Sequence, residues 1–378
     1  MADAVLPESD GASAPPVEHV LHVVDEDVCT RFAPMFTQVM QSLCASGVRT
    51  SLLTDDEDVV ARLERSPVEC HWVPQLSGWR AWGLGRYLSA HFSTPPDIVH
   101  LWGTAGLGWV ERWAVHAGVP LLVYLLGQSH VEGVMRGGVE HKHLATASPA
   151  LGDPLTARFP HAAPRCRTIR PAIARPMHPP RPRDAERTFS ILCATPLTAD
   201  AGLSVLIDAV AQLHRNHCEV QVGLVGDGPA VSEVWRQIRD RDVRDCVSLV
   251  DDPKLWEKVL PEVDACVVPA CQRELSIVPL LAMAFGKVVI AARDQVADWF
   301  IADRTTWEFT PGSAVELAYL LGRAIEQPRL ARELGDSAAA YVHAQRSIRD
   351  LLAELLDTYA AMTGSASTAA ETREPVRE

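Results

Sequence analysis

The sequence predicts an α/β protein made of two Rossmann-like domains facing a cleft. Short apolar runs alternate with stretches of helical period through most of its 378 residues, the pattern of strands and helices layered in a parallel sheet. Residues 174–187, rich in Pro and Arg, interrupt that alternation near mid-chain, and such a composition suits a linker better than the interior of a helix or sheet. Residues 263–292 then read as one complete unit: strand 265–268, polar loop 269–276, helix 277–285 stopped by Gly286, and strand 288–291. Its loop lies after a strand and before a helix, where open parallel sheets bind ligands and free backbone N–H groups favour anions.

Composition narrows the class. A net charge of −13 argues against general nucleic-acid binding, which depends on Lys and Arg neutralising phosphates. No run approaches the ~18 apolar residues of a membrane span, and the first residues lack the basic-then-apolar order of a leader, so a cytoplasmic protein is expected. Peripheral contact with a membrane is left open. The nine cysteines form no C-x-x-C pair and sit mostly in apolar stretches, as buried thiols of a reducing compartment do.

In chain order, residues 1–17 read as a disordered tail and 18–173 as the first domain. It opens with strand 19–24, helix 29–46 ending before Gly47, and strand 48–53. The loop after the first strand is Asp25-Glu26-Asp27-Val28, with three carboxylates and no glycine. The acidic run 55–58 reads as a solvated turn. Strand 68–73 precedes a segment containing Trp79, Trp82, Trp102, Trp109 and Trp113, whose faces suit either sugar stacking or core packing. Strand 97–102, helix 106–116 and an apolar run within 118–127 follow. His130 then falls on a polar loop, as a ligand-facing group or a surface histidine.

After strand 144–148, residues 166–173 and the linker 174–187, the second domain spans 188–345. Its elements are strand 189–194, helix 203–214, strand 219–225, helix 230–240, strand 247–249, a helix near 255–260, the unit 263–292, and helices 314–326 and 330–344. Gly226-Asp227-Gly228-Pro229 makes a tight turn whose glycines permit positive φ. Residues 346–362 form a terminal helix returning to the first domain, and 363–378 read as disordered.

Asp97-Ile98-Val99-His100, Gly118-Val119-Pro120, Gly226-Asp227-Gly228-Pro229 and Ala282-Met283-Ala284-Phe285-Gly286, in this order of elements over about residues 20–362, resemble the GT-B glycosyltransferases, specifically the large retaining, nucleotide-sugar-dependent group. The resemblance implies GT-B architecture and transfer of a sugar from a nucleotide-sugar to an unidentified acceptor, with no metal and no cofactor beyond that co-substrate. It implies catalytic roles for Glu274, facing sugar hydroxyls, and Arg273, a phosphate cation. It implies donor binding by Gly202, Gly226, Asp227, Gly228, Asp251, Ser276 and Ile277, with Gly127 and His130 on the acceptor side. The chain departs from the family where a second acidic residue is replaced by Leu281, an Arg by Pro196, a Lys by Ala201 and a His by Leu126. Each change removes a polar contact from one site, so the donor site reads as degenerate. A second reading follows: a catalytically degenerate GT-B protein acting as a binding or scaffold protein, in which Arg273 is an exposed loop charge.

Overall fold

The computed structural model describes residues 17–77, 83–175, 187–271 and 273–371, the last seven by backbone alone. Trp79, Trp82, most of the expected linker and residues 1–16 and 372–378 of the expected tails lie outside the described residues. The first half contains β1 (His19–Val24), α1 (Glu26–Ala45), β2 (Arg49–Thr54), α2 (Glu57–Leu63), β3 (Glu69–Trp72), α3 (Leu84–His91), β4 (Ile98–Trp102), α4 (Leu107–Ala117), β5 (Leu121–Leu125), α5 (Gln128–Gly137), β6 (Lys142–Thr146), α6 (Pro149–Arg158) and β7 (Cys166–Thr168). The second half contains β8 (Phe189–Ala194), α7 (Leu203–Arg215), β9 (Val220–Val225), α8 (Val231–Asp240), β10 (Val247–Val250), α9 (Trp256–Val259), β11 (Ala265–Val268), α10 (Val278–Ala284), β12 (Val288–Ala292), β13 (Trp307–Phe309), α11 (Ala314–Glu326), α12 (Pro328–Gln345) and α13 (Ile348–Glu371).

Two parallel sheets result, a seven-stranded one ordered β3-β2-β1-β4-β5-β6-β7 and a six-stranded one ordered β10-β9-β8-β11-β12-β13. Both reverse direction of winding beside their first strand, which creates a crevice at the strands' carboxyl ends. β1, β4 and β5 are buried at every position, as strands covered by helices on both faces must be. Trp102, Trp109 and Trp113 belong to this packing: their indole N–H groups donate to His22 Nδ1 (3.0 Å), the Leu76 carbonyl (2.7 Å) and Ser89 Oγ (3.1 Å).

Several local expectations change. α1 begins at Glu26, a few residues early, because Asp25 is extended and its carboxylate accepts from the Val28 N–H at 2.9 Å as an N-cap. The acidic run 55–58 is solvated only in part: Glu57 and Asp58 are exposed in the first turn of α2, whereas Asp56 is not. Asp56 is 2% exposed, caps α2 through the Asp58 and Val59 N–H groups, and takes an ion pair from Lys254 of the second half at 3.0 Å. His130 sits in the first turn of α5, not on a loop, and is buried rather than exposed. α13 continues to Glu371, beyond the expected end at 362 and into the stretch read as disordered.

Among the described residues, further contacts tie the halves outside the cleft. Lys254 joins Asp56 and Asp58, and Arg62 joins Glu257 through two bonds of 2.8 and 2.9 Å. Asp298 receives Arg170 at 2.8 Å and Arg346 at 2.7 Å. α13 crosses back onto α1, where the buried Tyr359 hydroxyl meets His100 Nδ1 at 2.6 Å. Burial holds the His100 ring well below the usual histidine range, so it is neutral near pH 7.

Candidate functional site

A cleft of about 530 Å³ lies between the halves, walled on one side by Asp27, Thr30 and Arg31 of α1 and on the other by the loops following β8, β9 and β11. Its rear wall is built by close backbone approach. The Leu197 N–H donates to the Asp227 carbonyl at 2.8 Å, and a Cβ on Gly226 would stand 2.0 Å from the Thr195 carbonyl oxygen, so no side chain fits there. Gly228 lies behind this turn against Leu197, and Gly202 starts α7 against the Pro269 carbonyl. Gly226 and Asp227 reach the cleft, whereas beyond β10 the wall is made by Pro253 and Trp256 and Asp251 is exposed.

The loop after β11 does more than line the cleft: it pairs with the other domain. The Gln128 N–H donates to the Arg273 carbonyl at 2.7 Å and the Leu275 N–H to the Leu126 carbonyl at 3.0 Å, an antiparallel bridge centred on Gly127 and Glu274. Glu274 Oε1 accepts from the Ser129 N–H at 2.8 Å, which makes Glu274 the N-cap of α5, a helix whose own cap residue, Gly127, has no side chain to offer. Gly127 is required for this seat, because a Cβ there would stand 1.9 Å from Glu274 Oε2. His130 lies under the bridge, where its Nδ1 accepts from the Leu126 N–H at 3.1 Å. Burial, then the nearby Arg31 charge, push its pKa down to about 4, so the ring is neutral at physiological pH.

Sequence reasoning missed Arg31. Its side chain is 7% exposed, Nη1 donates to the Leu275 carbonyl at 3.0 Å and reaches Glu274 Oε2 at 3.5 Å, and Nη2 pairs with Asp27. A signal was present: Arg31 interrupts the buried stripe Val28, Phe32, Met35 and Val39 of an amphipathic helix. A second signal is Pro34. With no N–H, it leaves the Thr30 carbonyl without its helical partner, and the Trp256 indole of the other domain donates to it at 3.4 Å. The adjacent Arg31 carbonyl accepts from the Ile277 N–H at 3.2 Å. Ile277, expected to offer its N–H to a ligand phosphate, is thereby committed, and its side chain is fully buried; Ser276 does line the cleft. Arg273 lines it as well, 60% exposed and paired with Glu132 at 3.2 Å.

Pro196 and Ala201 face the cleft without charge, and Asp200 beside them adds a carboxylate held below the usual range by Thr198 Oγ1, which donates to it at 2.7 Å. Among the described residues no group of three or more His, Cys, Asp or Glu side chains is placed to hold a metal ion.

Structural comparison decides the fold. The chain superimposes on the Anabaena protein Alr3699/HepE in complex with UDP and glucose with a TM-score of 0.73 at 16% identity, covering 90% of this chain and 98% of that one. The fold is that of the GT-B glycosyltransferases. Other GT-B-like neighbours are a glycosyltransferase from Rickettsia africae ESF-5 (TM-score 0.71, 16% identity, 92% and 98% of the two chains) and a sucrose-phosphate synthase from Thermosynechococcus elongatus (0.73, 17%, 92% and 100%). Within the GT-B fold, residues 188–327 match the family described as glycosyl transferases group 1. A curated relative, the alpha-D-kanosaminyltransferase of Streptomyces kanamyceticus, is 27% identical over 157 residues, which span 40% of each protein.

Proposed function

We propose that the protein is a glycosyltransferase that moves a sugar from a nucleotide-sugar to an acceptor, retaining anomeric configuration without a metal. The observation that carries this reading is the cleft itself: the tight Gly226 turn and the loop holding Arg273, Glu274 and Ser276 converge on one space at the carboxyl ends of both sheets. The match of residues 188–327 to glycosyl transferases group 1, and neighbours solved with UDP, UDP and glucose, or UDP-glucose, support the nucleotide-sugar as donor. Free thiols throughout agree with a reducing, cytoplasmic setting. The test is calorimetric titration with UDP, GDP and ADP and their sugar conjugates, followed by an assay for nucleoside diphosphate release across candidate acceptors. Micromolar binding by one nucleotide family is expected, and absence of binding by all of them at millimolar concentration sinks the reading.

One arrangement favours the second reading, a degenerate GT-B protein that binds or scaffolds. Glu274, the candidate for sugar hydroxyls, is committed to Ser129 and neighbours Arg31, while positions 196 and 201 carry no cation. On that reading nucleotide-sugars leave the melting temperature unchanged, and Glu274→Ala lowers it through the lost helix cap.

A further inference from the structure

We propose that Arg31, from the first domain, is the cation that grips the donor diphosphate, with the Asp27 carboxylate occupying the position a phosphate oxygen takes on binding. This rests on the donor reading above. The cleft wall at positions 196 and 201 offers a diphosphate no positive charge, and Asp200 repels it. Among the described residues lining the cleft, the permanent cations are Arg31 and Arg273. Arg273 is exposed and already paired with Glu132 at the surface, so water screens it.

Arg31 is held differently. Its inner side is fixed by the Leu275 carbonyl at 3.0 Å, with Glu274 Oε2 at 3.5 Å, which together aim the guanidinium, and its buried Nε has no hydrogen-bond partner. An Arg excluded from water and incompletely satisfied has more to gain from an oxyanion than a solvated one. Its outer nitrogen, Nη2, pairs with Asp27, whose carboxylate is 66% exposed on the cleft side. Asp27 can swing into solvent, and a phosphate oxygen taking its place at that nitrogen keeps the buried guanidinium paired, so the exchange strands no charge. α1 thus supplies a pre-aimed cation with an exchangeable anion.

The experiment titrates inorganic pyrophosphate, UDP, GDP, ADP and the corresponding nucleosides into the full chain and into Asp27→Asn and Arg31→Gln. Removing the competing charge in Asp27→Asn should tighten pyrophosphate and the preferred nucleoside diphosphate by about threefold or more. Arg31→Gln should weaken them by about tenfold or more while nucleoside binding is unchanged. Should Arg31→Gln lose its fold by circular dichroism, Asp27→Asn decides alone. A nucleotide bound by the wild type but not tightened by Asp27→Asn, or retained at full strength by a folded Arg31→Gln, overturns the assignment and leaves the donor reading intact. The expected pattern with pyrophosphate but no nucleotide bound removes the donor reading, and with it the assignment of Arg31 to a donor diphosphate. Failure of the wild type and Asp27→Asn to bind any of these anions removes both.

Discussion

Gly127 and Glu274 act as one unit although they lie in different halves of the chain. A methyl group at 127 would collide with the Glu274 carboxylate, so Gly127→Ala should destabilise the protein by about 1–3 kcal/mol in urea unfolding, as overpacking does. The double variant Gly127→Ala/Glu274→Ala should recover part of that loss, since the second substitution removes the obstructing carboxylate. Strictly additive effects would show that the two side chains do not meet. Asp25 gives a pH-dependent counterpart. Burial is the main cause that raises its pKa from 3.8 to about 6, only partly offset by the Val28 N–H. The folded protein therefore binds a proton more tightly there than the unfolded chain, so Asp25 costs stability that appears as pH rises from about 4 through 6. Asn keeps the N-cap acceptor without the charge. Asp25→Asn should therefore be more stable than wild type at pH 8, on the order of 2 kcal/mol, with the advantage vanishing near pH 4. Melting curves at the two pH values read this directly.

α1 shows how a helix can be shaped for its partner. Pro34 removes one helical hydrogen bond, and the second domain answers with the Trp256 indole at the freed Thr30 carbonyl. Pro34→Ala restores the internal donor, so the helix gains while the contact between halves weakens. Faster hydrogen exchange at the Ile277 amide, which bonds the next carbonyl of α1, is the expected result. Unchanged or slower exchange there would mean that the proline does not govern docking. α13 is anchored near its middle by the buried pair of Tyr359 and His100. Tyr359→Phe leaves His100 Nδ1 without its partner and should cost about 1–3 kcal/mol, measured by denaturant unfolding.

The two halves are clamped on both flanks of the cleft as well as across its floor. Lys254 neutralises Asp56, whose side chain is fully buried, while Arg170 and Arg346 converge on Asp298 at the opposite side. Breaking a buried pair from one side strands a charge, so Lys254→Met should be more disruptive than loss of an exposed pair, by about 3 kcal/mol. Small-angle scattering should show a larger radius of gyration as the clamp loosens. A folded variant of unchanged radius would place the control of closure in the Glu274 bridge instead.

The sequence alone determined the layered α/β class, strands β1, β8 and β11 at their observed bounds, the glycine turn at 226–228 and the loop bearing Arg273 and Glu274. These follow from local causes: apolar runs of strand length, helix periodicity, and glycines where a backbone must pass close to another. α5 was missed because Gly127 gives no capping signal and its cap comes from a residue far along the chain. His130 looked exposed for the same reason, and Asp56 looked solvated because Lys254 lies almost two hundred residues away in sequence. Arg31 was hidden inside a helix that is otherwise a good amphipathic match. Only the tertiary structure decided these partners, because pairing across a cleft depends on how two separately folded sheets face each other, and no local periodicity encodes that.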